Sequence, residues 1–322
     1  MRVQACACAV YYSRVRVNKT GEFVRVVVAI AWGLTARAGC VDCAHRPRAG
    51  SKNQNGKPST MKTKLLNIDQ NAKTVKGNVR GFITAILYLS PADSSGVQLC
   101  PLAELASCKA PCLNQAGRGG MSAGNATFVT DSGVELADNA IQRARLRRTR
   151  MFLDDRAAFM TLLVHEIEKA LVLANRKGKT LVVRPNGTSD IRWENIPCTR
   201  NGVDYPNIFA AFPDVQFYDY TKIPNRRVAH IPNYSLTFSY SHVSEFAPIV
   251  VKALKHYGAS VNFAAVFHGK VPESFLGRTV INGDETDLRF LDAPGVVVGL
   301  KAKGKARRDT SGFVVRQQLE AA

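Results

Sequence analysis

The chain has no long hydrophobic run. Its longest apolar stretch, Val26 to Leu34 in 322 residues, is far short of the ~20 residues that span a bilayer. The segment before that stretch is too long and too Arg-rich for a secretory leader, and Arg37 stands where a lipoprotein signal carries an aliphatic residue. A cytoplasmic protein with no membrane partner is expected. Acidic residues are scarce: 25 Asp and Glu face 44 Lys and Arg, a net charge of +19. That excess suits nucleic acid or an acidic surface, but charge alone names no partner. Aromatic residues are few, yet 46% of the chain is apolar, so it is globular rather than disordered as a whole. No Gly-x-Gly-x-x-Gly follows the first apolar run, which weakens a dinucleotide fold. His165 opens "HEIEKA", but Lys169 stands where a zinc protease needs its second histidine.

Residues 1–60 differ from the rest. They carry ten Lys and Arg against two acids and end in the polar run "HRPRAGSKNQNGKPST". Met61 follows at once, and "MKTKLLNIDQNAKTVKG" has the look of a natural start. The reading is a basic, disordered extension upstream of the true start, a single domain over 61–310, and a tail over 311–322. Cys40, Cys43 and His45 in the extension have zinc-like spacing but no second pair.

After Met61 the apolar pattern predicts strands at 81–91, 180–185, 215–220, 235–240, 260–267 and 295–301, with a shorter one at 278–283. It predicts two helices within 135–179 that break near Asp154, and one over 245–258 closed by Gly258. Near-continuous apolar strands alternating with helices argue for a parallel sheet in an α/β fold. Such a set fits an open doubly wound sheet or a full or partial β/α barrel of the TIM type. Four strands run into polar clusters at their C-terminal ends: "RPNGTSDIRWE", "YDYTK", "SYSH" and "HGK". A barrel builds its site at that end from several strands at once, which favours the barrel.

The first of these strands runs into "CPLAELASCKAPCLNQAGRGG", residues 100–120. In a reducing compartment, clustered cysteines bind metal or do redox work more often than they form disulfides. Cys100, Cys108 and Cys112 are candidate metal ligands. Three thiolates on a 4Fe–4S cluster leave one iron free for substrate or cofactor; on zinc they need a fourth ligand, such as Cys198 or a histidine. Three unconnected small residues in a loop are the plain alternative. Gly117, Arg118 and Gly119 offer close backbone approach and charge to a ligand. Asn186, Thr188, Ser189, Asp190 and Glu194 suit a ribose or amino acid moiety, unless they form an Asn-Gly turn with Asp190 as a helix cap. Asp219, Lys222, Ser239 and Ser241 complete the expected ring of cofactor-binding groups. Lys301, Lys303, Lys305, Arg307 and Arg308 form a basic run, either a solvated tail or a phosphate contact.

Several segments together resemble a family of bacteriophage proteins labelled gene-product-88-like: "TAILYLSPADSSGVQLCP", "CKAPCLNQAGRG", "ARLRRTRMF", "RPNGTSDIRWE", "YDYTK", "FSYS" and "VVGLKAKGKA". A host-cell cytoplasmic location follows from a phage origin. More distantly, a cysteine triplet after the first strand of a β/α barrel is similar to radical S-adenosylmethionine enzymes. Their loop is CxxxCxxC, whereas the gaps here are seven and three, and no "GGE"-like stretch is present. That resemblance implies a 4Fe–4S cluster, S-adenosylmethionine, and a small-molecule, nucleotide or nucleic-acid substrate. The rival expectation is a non-catalytic, zinc-stabilised nucleic-acid-binding protein.

Overall fold

The computed structural model describes Val10–Val17, Phe23–Ile30 and residues 63–316. The chain divides into two compact units, Met1–Thr60 and Met61–Ala322. In the first, β1 (Val10–Val17) pairs antiparallel with β2 (Phe23–Ile30). Cys6, Cys8, Cys40, Cys43 and His45 lie outside the described residues.

The second unit begins with β3 (Leu66–Ile68), α1 (Ala72–Val79) and β4 (Phe82–Leu87). The cysteine loop follows, winding through 3-10 turns at Leu113–Gln115, Gly117–Gly120 and Ala123–Asn125. Next come a small hairpin, β5 (Thr127–Val129) and β6 (Glu135–Ala137), then α2 (Ala140–Asp154) and α3 (Arg156–Arg176). Asp155 separates the two helices and caps α3, its carboxylate accepting from the Ala158 N–H at 2.9 Å. The chain continues through β7 (Thr180–Arg184), the hairpin β8 (Cys198–Arg200) and β9 (Val203–Tyr205), α4 (Ile208–Ala211), β10 (Gln216–Thr221) and β11 (Tyr234–Ser239). It ends with α5 (Ala247–Tyr257), β12 (Phe263–Phe267), β13 (Ser274–Phe275), β14 (Arg278–Asn282) and β15 (Val297–Lys301). Gly258, at φ 85°, stops α5 in a conformation that side chains disfavour.

Nine strands form one mixed sheet in the order β13-β14-β15-β12-β11-β10-β7-β4-β3, parallel from β14 to β4 and antiparallel at both edges. From β4 to β12, sequence neighbours are sheet neighbours, so the winding runs one way. One face carries α3 and α5. Ile83, Ala85, Leu87, Leu181, Val183 and Phe217 pack under Phe159, Leu163 and Ile167 of α3, and Phe238, Phe263, Ala265 and Val297 pack under Val250 and Ala253 of α5. The opposite face is covered by residues 284–292, where Leu288 and Phe290 meet Val182, Tyr218 and Phe82.

The sheet does not close, which corrects the expectation of a full barrel. The β10–β11 link holds no helix, and the β12–β15 excursion is a β-hairpin. In a β/α barrel the first and last parallel strands pair with each other, whereas here the antiparallel β3 and β13 end the sheet. The domain also runs past residue 310. Val314 and Val315 are buried, and the Val315 N–H donates to the Val266 carbonyl at 2.8 Å. The described core runs from Leu65 to Val315, so deleting residues 1–60 is expected to leave the thermal midpoint within about 2 °C, below the shift of ~1 kcal/mol. Differential scanning calorimetry of the two forms checks this; a large drop would show that the extension contributes to the core.

Candidate functional site

Parallel strands present their C-terminal ends on one side, and five chain segments meet there. The cysteine loop leaves β4 and is pinned from below: the Asp190 N–H donates to the Leu99 carbonyl at 2.9 Å, and the Cys108 N–H to the Ala103 carbonyl at 3.0 Å. Leu99, Ala103 and Ala106 are buried. The first turn of α2 grips the far side of the loop. Gln142 Nε2 donates to the Asn114 and Gly119 carbonyls at 2.8 and 2.7 Å, Arg145 Nη1 to the Asn114 carbonyl at 2.9 Å, and Asn139 Nδ2 to the Met121 carbonyl at 2.8 Å.

Cys100, Cys108 and Cys112 are free thiols, each partly exposed. They lie near enough to perturb one another's ionisation, and Lys222 and Asp190 share that neighbourhood. Burial drives the Cys100 thiol far up, with the other two sulfurs and Asp190 adding to it. Burial also raises Cys108, against the pull of Lys222. It lifts Cys112 to about 11, opposed by a backbone N–H from Asn114 and by Arg145 and Lys222. The Lys222 ammonium is lowered by burial, while Cys108, Asp190, Cys100 and Cys112 hold its proton on. Its Nζ donates to the Ser239 carbonyl and hydroxyl at 3.0 and 3.1 Å. The rings of Phe246 and Phe313 flank it at 5.3 and 5.0 Å. The buried cation thus works against the effect of burial on Cys108 and Cys112, favouring negative charge there.

Among the described residues, no three His, Cys, Asp or Glu side chains stand where one metal ion reaches all of them. A tetrahedral zinc at ~2.3 Å from each sulfur needs thiolates about 4 Å apart. Cys198, the possible fourth zinc ligand, is buried in the core under α3, beside Ile196 and Phe209. Its thiol rises to about 11 through burial, with Asp204 as its one charged influence.

The remaining expected ligand groups form a frame. Asn186 spends its whole carboxamide inside the chain: Nδ2 donates to Asp219 and the Ile191 carbonyl, and Oδ1 accepts from Ser189, the Ile191 N–H and Trp193. Asp219 accepts from the Asn186 N–H at 2.8 Å and the Tyr234 hydroxyl at 2.9 Å. Burial raises its carboxyl to about 7 against the pull of Arg226 and Arg184. Thr188 donates to the Leu89 carbonyl, and Ser241 to the Ala106 carbonyl at 2.8 Å. Gly119 lies against the Asn114 carbonyl, where a Cβ would come within 2.5 Å. Gly187 approaches the end of β4 so closely that a Cβ would stand 2.6 Å from the Leu87 carbonyl oxygen. Gly117 and Arg118 lie on the exposed turn beyond the cysteines. Asn186, Thr188, Asp219 and Ser241 thus make their hydrogen bonds within the chain, while Asp190 and Lys222 bear on the ionisation of the thiols.

Asp190 accepts from Thr221 Oγ1 and the Lys222 N–H, both at 2.8 Å. It stands 3.8 Å from Arg226. Arg226, with its side chain fully buried, binds Glu194 through two nitrogens at 3.0 and 2.5 Å and Tyr234 at 2.8 Å. The sequence reading missed this ion pair, as it missed the grip of Asn139, Gln142 and Arg145. The "S/N-x-x" cap signal at Asn139 was available; the long-range pairing of Arg226 had no local signal. On the other face of the sheet, Asp287 accepts from Arg184, Tyr218 and Tyr220, at 3.0, 2.9 and 3.3 Å.

No helix among the described residues is long and apolar enough to cross a membrane. A family model described as gene product 88 matches residues 60–317. No curated protein matches the chain, and no solved structure does; the likeness to radical S-adenosylmethionine enzymes gains nothing from these comparisons.

Proposed function

We propose that this chain, which belongs to the gene product 88 family, is an iron–sulfur enzyme that uses Cys100, Cys108 and Cys112 to hold a 4Fe–4S cluster for chemistry of the S-adenosylmethionine type. The observation that carries the reading is the placing of three partly exposed cysteines on one loop at the C-terminal end of a parallel sheet, a loop tied through Asp190 to a buried lysine that Ser239 holds. Three soft donors without histidine suit iron–sulfur or zinc chemistry. A cluster attaches its thiolates to separate irons, so it tolerates sulfurs that do not converge on one point, as zinc does not. The strands from β4 to β12 wind in one direction, an arrangement a partial β/α barrel shares.

If Cys100, Cys108 and Cys112 held such a cluster, it would supply one-electron reducing chemistry toward S-adenosylmethionine. The chain's own contributions are electrostatic and positional. Lys222, flanked by the rings of Phe246 and Phe313, would offset the charge of the thiolates. Ser239 fixes the ammonium, and Asp190 ties the cysteine loop to the ends of β7 and β10. Arg145 and Gln142 hold Asn114, two residues beyond Cys112.

The test is anaerobic incubation of the iron-loaded, dithionite-reduced protein with S-adenosylmethionine. Release of 5′-deoxyadenosine and methionine is expected. A loaded protein that leaves S-adenosylmethionine intact would overturn the reaction class, and a protein that takes up zinc but no iron would favour the non-catalytic zinc reading.

A further inference from the structure

The basic run after β15 is folded back onto the cysteine loop. Residues Gly304–Arg308 form a 3-10 turn anchored by the buried Ala306. Gly304, at φ 55°, lies so close to Ala116 that a Cβ would stand 3.0 Å from the Ala116 Cβ. The turn therefore rests on Leu113–Gln115, which begins at Cys112. Lys305, Arg307 and Arg308 point into solvent, and the 3-10 repeat of three puts Lys305 and Arg308 on the same side. Arg118 is exposed on the next turn of the loop. Lys303 is neutralised by Asp284 at 2.6 Å. Among the described residues, no salt bridge engages Lys305, Arg307, Arg308 or Arg118. Four like charges without a salt-bridge partner, beside the buried Asp309, repel one another and attract a polyanion. Leu113, 60% exposed, and Met121, 68% exposed, sit in the same turns.

We infer that this rim is a docking surface for single-stranded nucleic acid, which it presents to the cysteine site. The cations match a phosphodiester backbone, and the exposed Leu113 and Met121 beside them offer the faces of unpaired bases an apolar surface. The position supports a role at the site: the run starts at the C-terminal end of β15, the end of the sheet that carries the thiols, and crosses to the turn that follows Cys112. This partner goes beyond the proposed cluster chemistry, and its test reads binding alone.

The full chain is titrated against a fluorescent oligothymidylate of about 20 nucleotides across a salt series. Parallel arms use the matching duplex and vesicles of phosphatidylserine with phosphatidylcholine. Contact with four cations predicts a log–log salt slope of about −3 for the single strand. The triple variant Lys305→Ser, Arg307→Ser and Arg308→Ser is expected to flatten that slope by about 2 and to weaken binding at least tenfold at low salt. Arg118→Ser, in a separate loop, flattens it by about 0.7, which keeps the test valid if the triple variant folds poorly. The control Lys169→Ser, Arg176→Ser and Lys177→Ser removes three exposed cations from α3 and its C-cap, and the last turn of α3 lies at the opposite end of the sheet. Equal weakening by the control, or an unchanged slope in the rim variants, would overturn the inference. Binding to duplex or to vesicles in preference to the single strand would overturn it as well. Iron content, measured on the same samples, is expected to be unaffected by the rim variants, so a failed cluster reading and a failed rim reading leave different results.

Discussion

With Cys100, Cys108 or Cys112 replaced singly by alanine, the anaerobically loaded protein is expected to fall from roughly four irons per chain to fewer than one. Each substitution removes one of three protein ligands and leaves two, too few to keep a cluster against competing thiols. Cys198→Ala is expected to retain full iron, because Cys198 lies in the core under α3 with Asp204 as its charged neighbour. The three loop cysteines are partly exposed, so alanine costs little packing, and the metal-free variants should unfold within a few degrees of the parent. Lys222→Met is the informative companion. It fills the space between Phe246 and Phe313 with an apolar chain but removes the buried positive charge. The variant is expected to bind iron more weakly and to be harder to reduce, because an added electron meets uncompensated thiolate charge. Iron analysis and a redox titration of the visible absorption check both statements. Iron retention in any loop-cysteine variant would detach that residue from the site.

Glu194→Ala is expected to be the most destabilising single change away from the thiols. Arg226 is fully buried, and Glu194 supplies two of its hydrogen bonds. Removing the carboxylate leaves a guanidinium with Tyr234 at 2.8 Å and Asp190 at 3.8 Å. Breaking such a pair costs about 3–5 kcal/mol, a fall in melting temperature of roughly 10 °C in a domain of this size. The double variant Glu194→Leu with Arg226→Met is expected to recover much of the loss, since an apolar pair carries no desolvation cost. Thermal denaturation of the metal-free forms measures both. A double variant as unstable as the single would mean that Tyr234 and Asp190 need the guanidinium in its own right.

The strands and helices were legible because their signals are local. The apolar runs at 180–185, 215–220, 235–240 and 295–301 form β7, β10, β11 and β15, and the break between α2 and α3 falls beside the expected Asp154. The cysteine loop at the C-terminal end of β4 followed from the order of strand and triplet. The barrel did not follow, because closure depends on how the last strands pair. Nothing in "RTVING" or "VPESF" signals that β13 will end the sheet antiparallel. The segment "GDETDLRF" carried no periodicity, yet its Asp287 collects Arg184, Tyr218 and Tyr220 from two strands. Such pairings join residues about 70 to 100 positions apart, so no window of sequence contains them. The same limit explains the ligand candidates. The types of Asn186, Ser189 and Asp219 suited a polar ligand, but their hydrogen bonds are taken by Trp193, Tyr234 and one another.

The most direct measurement of the central claim is the iron and acid-labile sulfide content of the full chain purified without oxygen, read beside its zinc content. The account predicts about four irons and four sulfides per chain, with zinc well below one. Zinc near one per chain with no sulfide, or a colourless protein that takes up no metal after anaerobic reconstitution, would contradict it.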